Sequence, residues 1–145
     1  MKNLLIAISL FAAACGGSSS EDTTLITASA GGELSISGAT IDIPAGALSE
    51  DTELTVSEGS ISDYPALEGA DNRVLEFDPP VSLSGLATIR IRPKQAIPAD
   101  GSAFIRIFTD GVWITPDVSS VVIDGEIDTA LPFLAPVAVV VQQPQ

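Results

Sequence analysis

Apolar and polar side chains alternate with a period of two through almost all of the chain, as in Thr40-Ile41-Asp42-Ile43, Leu54-Thr55-Val56 and Thr88-Ile89-Arg90-Ile91-Arg92. Successive side chains of an extended strand point to opposite faces, so this pattern buries one face and leaves the other in water. The apolar positions are mostly β-branched, a type that packs well on a pleated surface and loses rotamer freedom in a helix. Ser37-Gly38, Asp100-Gly101, Asp110-Gly111 and Asp124-Gly125 separate the strands and are read as supplying the positive φ of tight hairpins. Val121-Val122-Ile123 and Glu126-Ile127-Asp128 are therefore expected to pair across Asp124-Gly125. No window carries a sustained helical period with caps, and the short strands recur at turn-limited spacing. The expected fold is all-β, an antiparallel two-sheet β-sandwich.

The first residues set the compartment. Lys2 opens a short positive start, Leu4 to Ala13 is apolar, and Ala12-Ala13-Ala14 leads into Cys15, the single cysteine. That order is a secretory signal, and its apolar run is about half the roughly 20 residues a spanning helix needs. Cys15 stands between the apolar run and Gly16-Gly17-Ser18-Ser19-Ser20, an arrangement that resembles the bacterial lipobox, with Ala12 where the family usually has Leu. The resemblance implies a lipid on the Cys15 thiol, cleavage just before it, and acylation of the new amino terminus. Several acyl chains hold a membrane far more durably than one. Gly16 rather than Asp after the cysteine implies sorting to the outer membrane of the cell envelope. The alternative is an ordinary secreted protein with a free thiol. Residues 1–14 are thus read as signal peptide, 15–23 as lipidated cysteine and flexible tether, 24–141 as one domain and 142–145 as a tail.

Composition narrows the chemistry. The chain has no His, which removes the commonest general base and metal ligand. No nucleophile elbow, phosphate-cradling glycine loop or Cys-x-x-Cys occurs. With one cysteine, and that one assigned to lipid, no internal disulfide is expected. Acidic residues number 19 against 6 basic ones; removing Lys2 with the signal leaves 5, a net charge of −14. Such a field repels nucleic acid and favours cationic partners. The chain reads as noncatalytic, without cofactor or metal, and a hydrolase using paired carboxylates would need two of them about 5 to 10 Å apart in a cleft.

Gly31-Gly32-Glu33-Leu34-Ser35-Ile36, then Ala39-Thr40-Ile41-Asp42-Ile43-Pro44-Ala45-Gly46-Ala47-Leu48, then Thr52-Glu53-Leu54-Thr55-Val56 resembles the start of the ZU-type domain, a module shared by zonula occludens scaffolds, Unc-type netrin receptors and ankyrins. Pro44 ends a paired strand, Gly46 lets the chain turn, and Ala47-Leu48 returns an apolar plug to the core. Phe77-Asp78-Pro79-Pro80-Val81 looks like the family's central Pro-bearing strand, and Trp113 and Pro136-Val137-Ala138-Val139 extend the likeness weakly. The resemblance implies a β-sandwich with a scaffolding or interaction role. Some members cut themselves at His-Phe-Ser; Pro132-Phe133-Leu134 here has neither base nor nucleophile.

Several side chains are candidates for recognition. Arg90, Arg92 and Arg106 would form one cationic stripe, able to grip an anionic glycan or an envelope protein, if their strands are neighbours; the alternative is pairing with carboxylates such as Glu76 or Asp78. Trp113 is expected to close one end of the core, with a sugar platform as the alternative. Ala103 to Phe108 is expected to be a central strand covered on both faces for much of its length, and Val137 to Val141 a buried closing strand. Asp63, Glu68, Asp71 and Asp78 surround the stretch from Ser60 to Asn72, and Asp124, Glu126 and Asp128 alternate along a hairpin; neither set has calcium-loop spacing. The stretch from Ser60 to Asn72, with Pro65 and Gly69, is the expected binding loop. Two functions follow: an anchored structural or protein-interaction module, or a carbohydrate or cell-wall binding module.

Overall fold

The computed structural model describes residues 21–145. The signal peptide and Cys15 lie outside the described residues. Eleven strands form two antiparallel sheets. One sheet is ordered β1 (Glu21–Ile26), β4 (Thr52–Ser60), β5 (Ala70–Asp78), β11 (Val137–Gln142), β7 (Ser102–Thr109), β8 (Val112–Ile114). The other is ordered β2 (Gly32–Ile36), β3 (Ala39–Ile43), β6 (Val81–Ile91), β10 (Glu126–Leu134), β9 (Val121–Ile123). The single helical element among the described residues is a 3₁₀ turn at Ile61–Asp63.

The alternating pattern is what closes the two layers. Leu34, Ile36, Ile41, Ile43, Ile89, Ile91, Ile127 and Leu131 of the five-stranded sheet meet Leu54, Val56, Leu75, Phe77, Ile105, Ile107, Val137, Val139 and Val141 of the six-stranded one in a single buried cluster. Each fully buried aliphatic side chain contributes roughly 1.5–3 kcal/mol. The Ala47-Leu48 plug does enter this cluster, at 2% and 4% exposure. Gly31, at φ +70, lies so close to the end of β3 that an added Cβ would sit 2.1 Å from the Ile43 carbonyl oxygen.

The hairpin expected across Asp124-Gly125 forms, pairing Ile123 with Glu126 and Val121 with Asp128. Asp124 and Gly125 both have positive φ, 51° and 76°, the type I′ geometry that matches strand twist. Gly38 and Gly111 also take positive φ, but Gly101 does not. Its missing side chain instead admits the Gln142 carbonyl oxygen, which would stand 2.6 Å from a Cβ.

Three local expectations are corrected. The tether does not extend to Thr23: β1 begins at Glu21, because Glu21, Asp22 and Thr23 pair with Ser57, Val56 and Thr55 on β4, an edge pairing that asks little hydrophobicity. Phe77 to Val81 is no central strand; Pro79 and Pro80, which lack a backbone donor, occupy the crossing from β5 in one sheet to β6 in the other. The 142–145 tail loses Gln142 to β11, where it pairs with Ser102. Val137 to Val141 is buried throughout, as expected, and β11 lies in the middle of its sheet, between β5 and β7.

Candidate functional site

Strands of the six-stranded sheet place Val74, Ala138 and Val140 on its outer face, yet these are 0%, 0% and 3% exposed and Val74 and Ala138 lie outside the main core cluster. The β4–β5 connection covers that face. Tyr64, on that connection, donates its phenol to Glu76 Oε1 of β5 at 2.5 Å. On its other side the Tyr64 ring centroid lies 5.1 Å from Phe108 of β7 and 5.4 Å from Trp113 of β8, and those two are 5.2 Å apart. Trp113 Nε1 donates to the Pro65 carbonyl at 3.0 Å. The expected binding loop is therefore strapped across four strands, from β5 over β11 to β7 and β8. Burial raises the Tyr64 phenol pKa well above its ordinary 10.0, and the Glu76 hydrogen bond, with the negative charges of Glu76 and Asp63, raises it further.

Trp113 consequently closes no end of the core. It is half-buried on the outer face, held between Tyr64 and Phe108, and so offers no free flat ring to a sugar. β7 alternates, with Ala103, Ile105 and Ile107 buried inward and Phe104, Arg106 and Phe108 half-buried outward. The outer face is covered only at the Phe108 end, because the strap ends there.

Beside the strap an open groove of about 810 Å³ runs over the sheet. Phe104, Arg106 and Val140 line it together with Leu67 to Gly69, Asp100 to Ser102 and the chain end at Gln142 to Gln145. The Arg106 guanidinium carbon stands 5.3 Å from the Phe104 ring centroid, and its Nη1 donates to Thr115 Oγ1. Arg106 Nε is buried without a hydrogen-bond partner. Among the described residues Arg106 is the one base with no carboxylate partner: Arg73 and Lys94 pair with Glu58, Arg90 with Asp128 and Arg92 with Glu126.

The stripe of three arginines does not form. Arg90 lies near the end of β6, in the five-stranded sheet, and Arg92 just past it, whereas Arg106 is on β7 in the other. Their carboxylates are Asp128 at 3.2 Å and Glu126 at 2.8 Å, both on β10, which pairs with β6, rather than Glu76 or Asp78. The alternative of cross-strand pairing with carboxylates does hold for Arg90 and Arg92, but not with Glu76 or Asp78, which stand on β5 in the sheet opposite theirs.

Sequence reasoning missed Arg73, and named Asp71 only within the acidic set around the stretch from Ser60 to Asn72. Arg73 is 2% exposed and points between the sheets, donating to the Ser37 carbonyl and, at 3.3 Å, to that of Arg92, with Nε 3.2 Å from Glu58 Oε2. Asp71, 4% exposed, accepts from the Lys94 amide at 2.7 Å. Together they tie one end of the sandwich shut with charges. A signal was present: Asp71, Arg73 and Leu75 share a strand face with Phe77, which places two charges in line with core positions.

Among the described residues no set of three or more His, Cys, Asp or Glu side chains is arranged to hold a metal ion, and no helix is long and apolar enough to cross a membrane. No protein-family model matches the chain, and no curated protein matches it.

Proposed function

We propose that the chain is a lipid-anchored protein of the cell envelope that presents a noncatalytic sandwich for binding another envelope component. The observation that carries this reading is the position of Cys15, between the apolar run Leu4 to Ala13 and Gly16 to Ser20, six residues before β1 begins at Glu21. Six residues reach about 20 Å at full extension, so a lipid on Cys15 would hold the sandwich close to the bilayer. The resemblance of Gly31 to Val56 to the start of the ZU-type domain supports an interaction or scaffolding role, and Gly16 supports the outer membrane as the site. The proposed recognition surface is the groove over Phe104 and Arg106, where the base without a carboxylate partner faces open space.

Metabolic labelling with a fatty-acid analogue tests the anchor. The full chain is expected to incorporate label and fractionate with membranes, and Cys15→Ser to do neither. An unlabelled wild-type protein in the soluble fraction would sink the proposal. One observation favours a glycan as the bound component. Phe104 offers a ring, and Asp100, Ser102, Arg106 and Gln142 offer hydrogen-bonding groups around it, the mix by which sugars are held. If so, Phe104→Ala should abolish retention on isolated cell wall; unchanged retention would leave the protein-interaction reading.

A further inference from the structure

The four sheet edges are not treated alike. β1 and β2 are edges of different sheets, and they are sewn together: Asp22 Oδ2 accepts the Ser35 amide at 2.8 Å, and Thr27 bridges Gly31 where the chain turns between the strands. β8 half-buries Trp113 and Ile114 and leaves only Val112 strongly exposed. β9 is different. Val121, Val122 and Ile123 are 53%, 41% and 56% exposed, the only run of consecutive large apolar side chains left to solvent among the described residues.

The backbone of β9 is equally open. In a two-residue type I′ hairpin the residues flanking the turn exchange both hydrogen bonds, and the next pair exchanges none. Ile123 and Glu126 are the flanking pair, so Val122, opposite Ile127, directs its N–H and C=O away from β10 and toward the free edge. Apart from its shortness, three residues, nothing blunts this edge against strand addition: it carries no Pro, Lys or bulge. On the outer face, next to Ile123, a cleft of about 200 Å³ is lined by Asp124, Glu126 and Asp128 against the single base Arg90. Two of those carboxylates have arginine partners, Glu126 with Arg92 and Asp128 with Arg90; Asp124 has none.

We infer that β9 is a docking edge for an extended segment of a partner protein in which apolar and basic residues alternate. The partner's backbone pairs with Val122, its apolar side chains cover Val121 and Ile123, and a Lys or Arg enters the cleft beside Asp124. Only a strand satisfies the outward N–H and C=O together with the apolar flank. A second copy of this chain suits the edge poorly. Each copy carries a net −13, and a three-residue strand paired with its own twin buries far less than the roughly 1,200 Å² of a stable dimer. This inference is independent of the lipid anchor and of the groove over Phe104.

The test uses the full chain in detergent and two synthetic peptides about six residues long, the usual strand length, one alternating Val with Lys and one alternating Val with Glu. The Val–Lys peptide is expected to slow hydrogen exchange at the Val122 amide, and the Val–Glu peptide to leave it unchanged. Val122→Pro removes the outward donor without touching the hairpin bonds, and should weaken Val–Lys binding at least tenfold while the melting temperature holds. Should that variant fail to fold, Asp124→Lys at the exposed turn serves instead, with the same loss expected. Unaltered exchange at Val122 with the Val–Lys peptide would overturn the inference, as would equal protection by both peptides. Protection without any peptide, together with a dimer in sedimentation, would overturn it in favour of self-association.

Discussion

Tyr64 donates to Glu76 across the outer face of the six-stranded sheet, and this 2.5 Å contact fixes one end of a strap whose other end is the ring of Trp113. It makes the only tyrosine of the chain a reporter for a segment that carries no regular strand.

The first prediction concerns pH. Burial first, then Glu76 and Asp63, disfavour the phenolate, so the folded-state pKa lies above the 10.0 of an unfolded tyrosine. The stabilisation is fully present below that value and is lost as pH rises beyond it toward the folded pKa. Phenolate absorbance should therefore emerge at higher pH in the native protein than in denaturant. Glu76→Gln should narrow the gap without closing it, because burial remains. Coincident native and denatured titrations would show that Tyr64 is not held in this contact.

Loss of the Trp113 ring should release the strap. Trp113→Ala removes two ring contacts and the hydrogen bond to Pro65, together worth about 2–3 kcal/mol. Denaturant unfolding measures the cost, and limited proteolysis should show new cutting between Ile61 and Gly69. Trp113→Phe should keep most of the stability and lose only the hydrogen bond.

Arginines at the same end of the sandwich should differ sharply. Arg73→Ala leaves the Ser37 and Arg92 carbonyls short of a donor and Glu58 short of one partner, and should cost about 3–5 kcal/mol. Arg90 and Arg92 have side chains 61% and 60% exposed, so their replacement by alanine should cost less than about 1 kcal/mol each. Comparable losses for all three in thermal unfolding would contradict the burial assigned to Arg73.

Two glycines should separate conformational strain from steric collision. An Ala at Gly111 meets nothing within 4 Å and bears only the cost of φ +82, about 1 kcal/mol. An Ala at Gly31 meets the Ile43 and Pro44 backbone at 2.1 and 2.7 Å, and the last residues of β3 would have to move. Gly31→Ala should abolish cooperative unfolding or lower the melting temperature far more than Gly111→Ala.

Period-two alternation was enough to determine that this chain folds as two packed sheets, to place Ile41, Ile43, Ile89 and Ile91 inward, and to set the Asp124-Gly125 hairpin. Those properties are local: side-chain direction repeats every second residue, and turn conformation depends on two adjacent residues. The order of strands was not readable that way. Arg90 and Arg106 look alike in their strands, and only the placement of β6 and β7 in opposite sheets separates them. Arg73 alternates with its neighbours as any core residue does; its acceptors, on Ser37 and Arg92, come from turns 36 and 19 positions away. Trp113 fell outside the core for the same reason, since its partners Tyr64 and Pro65 are brought to it by a connection that crosses four strands. Contacts between residues so distant along the chain have free energies that depend on the closed three-dimensional arrangement, which no local pattern records.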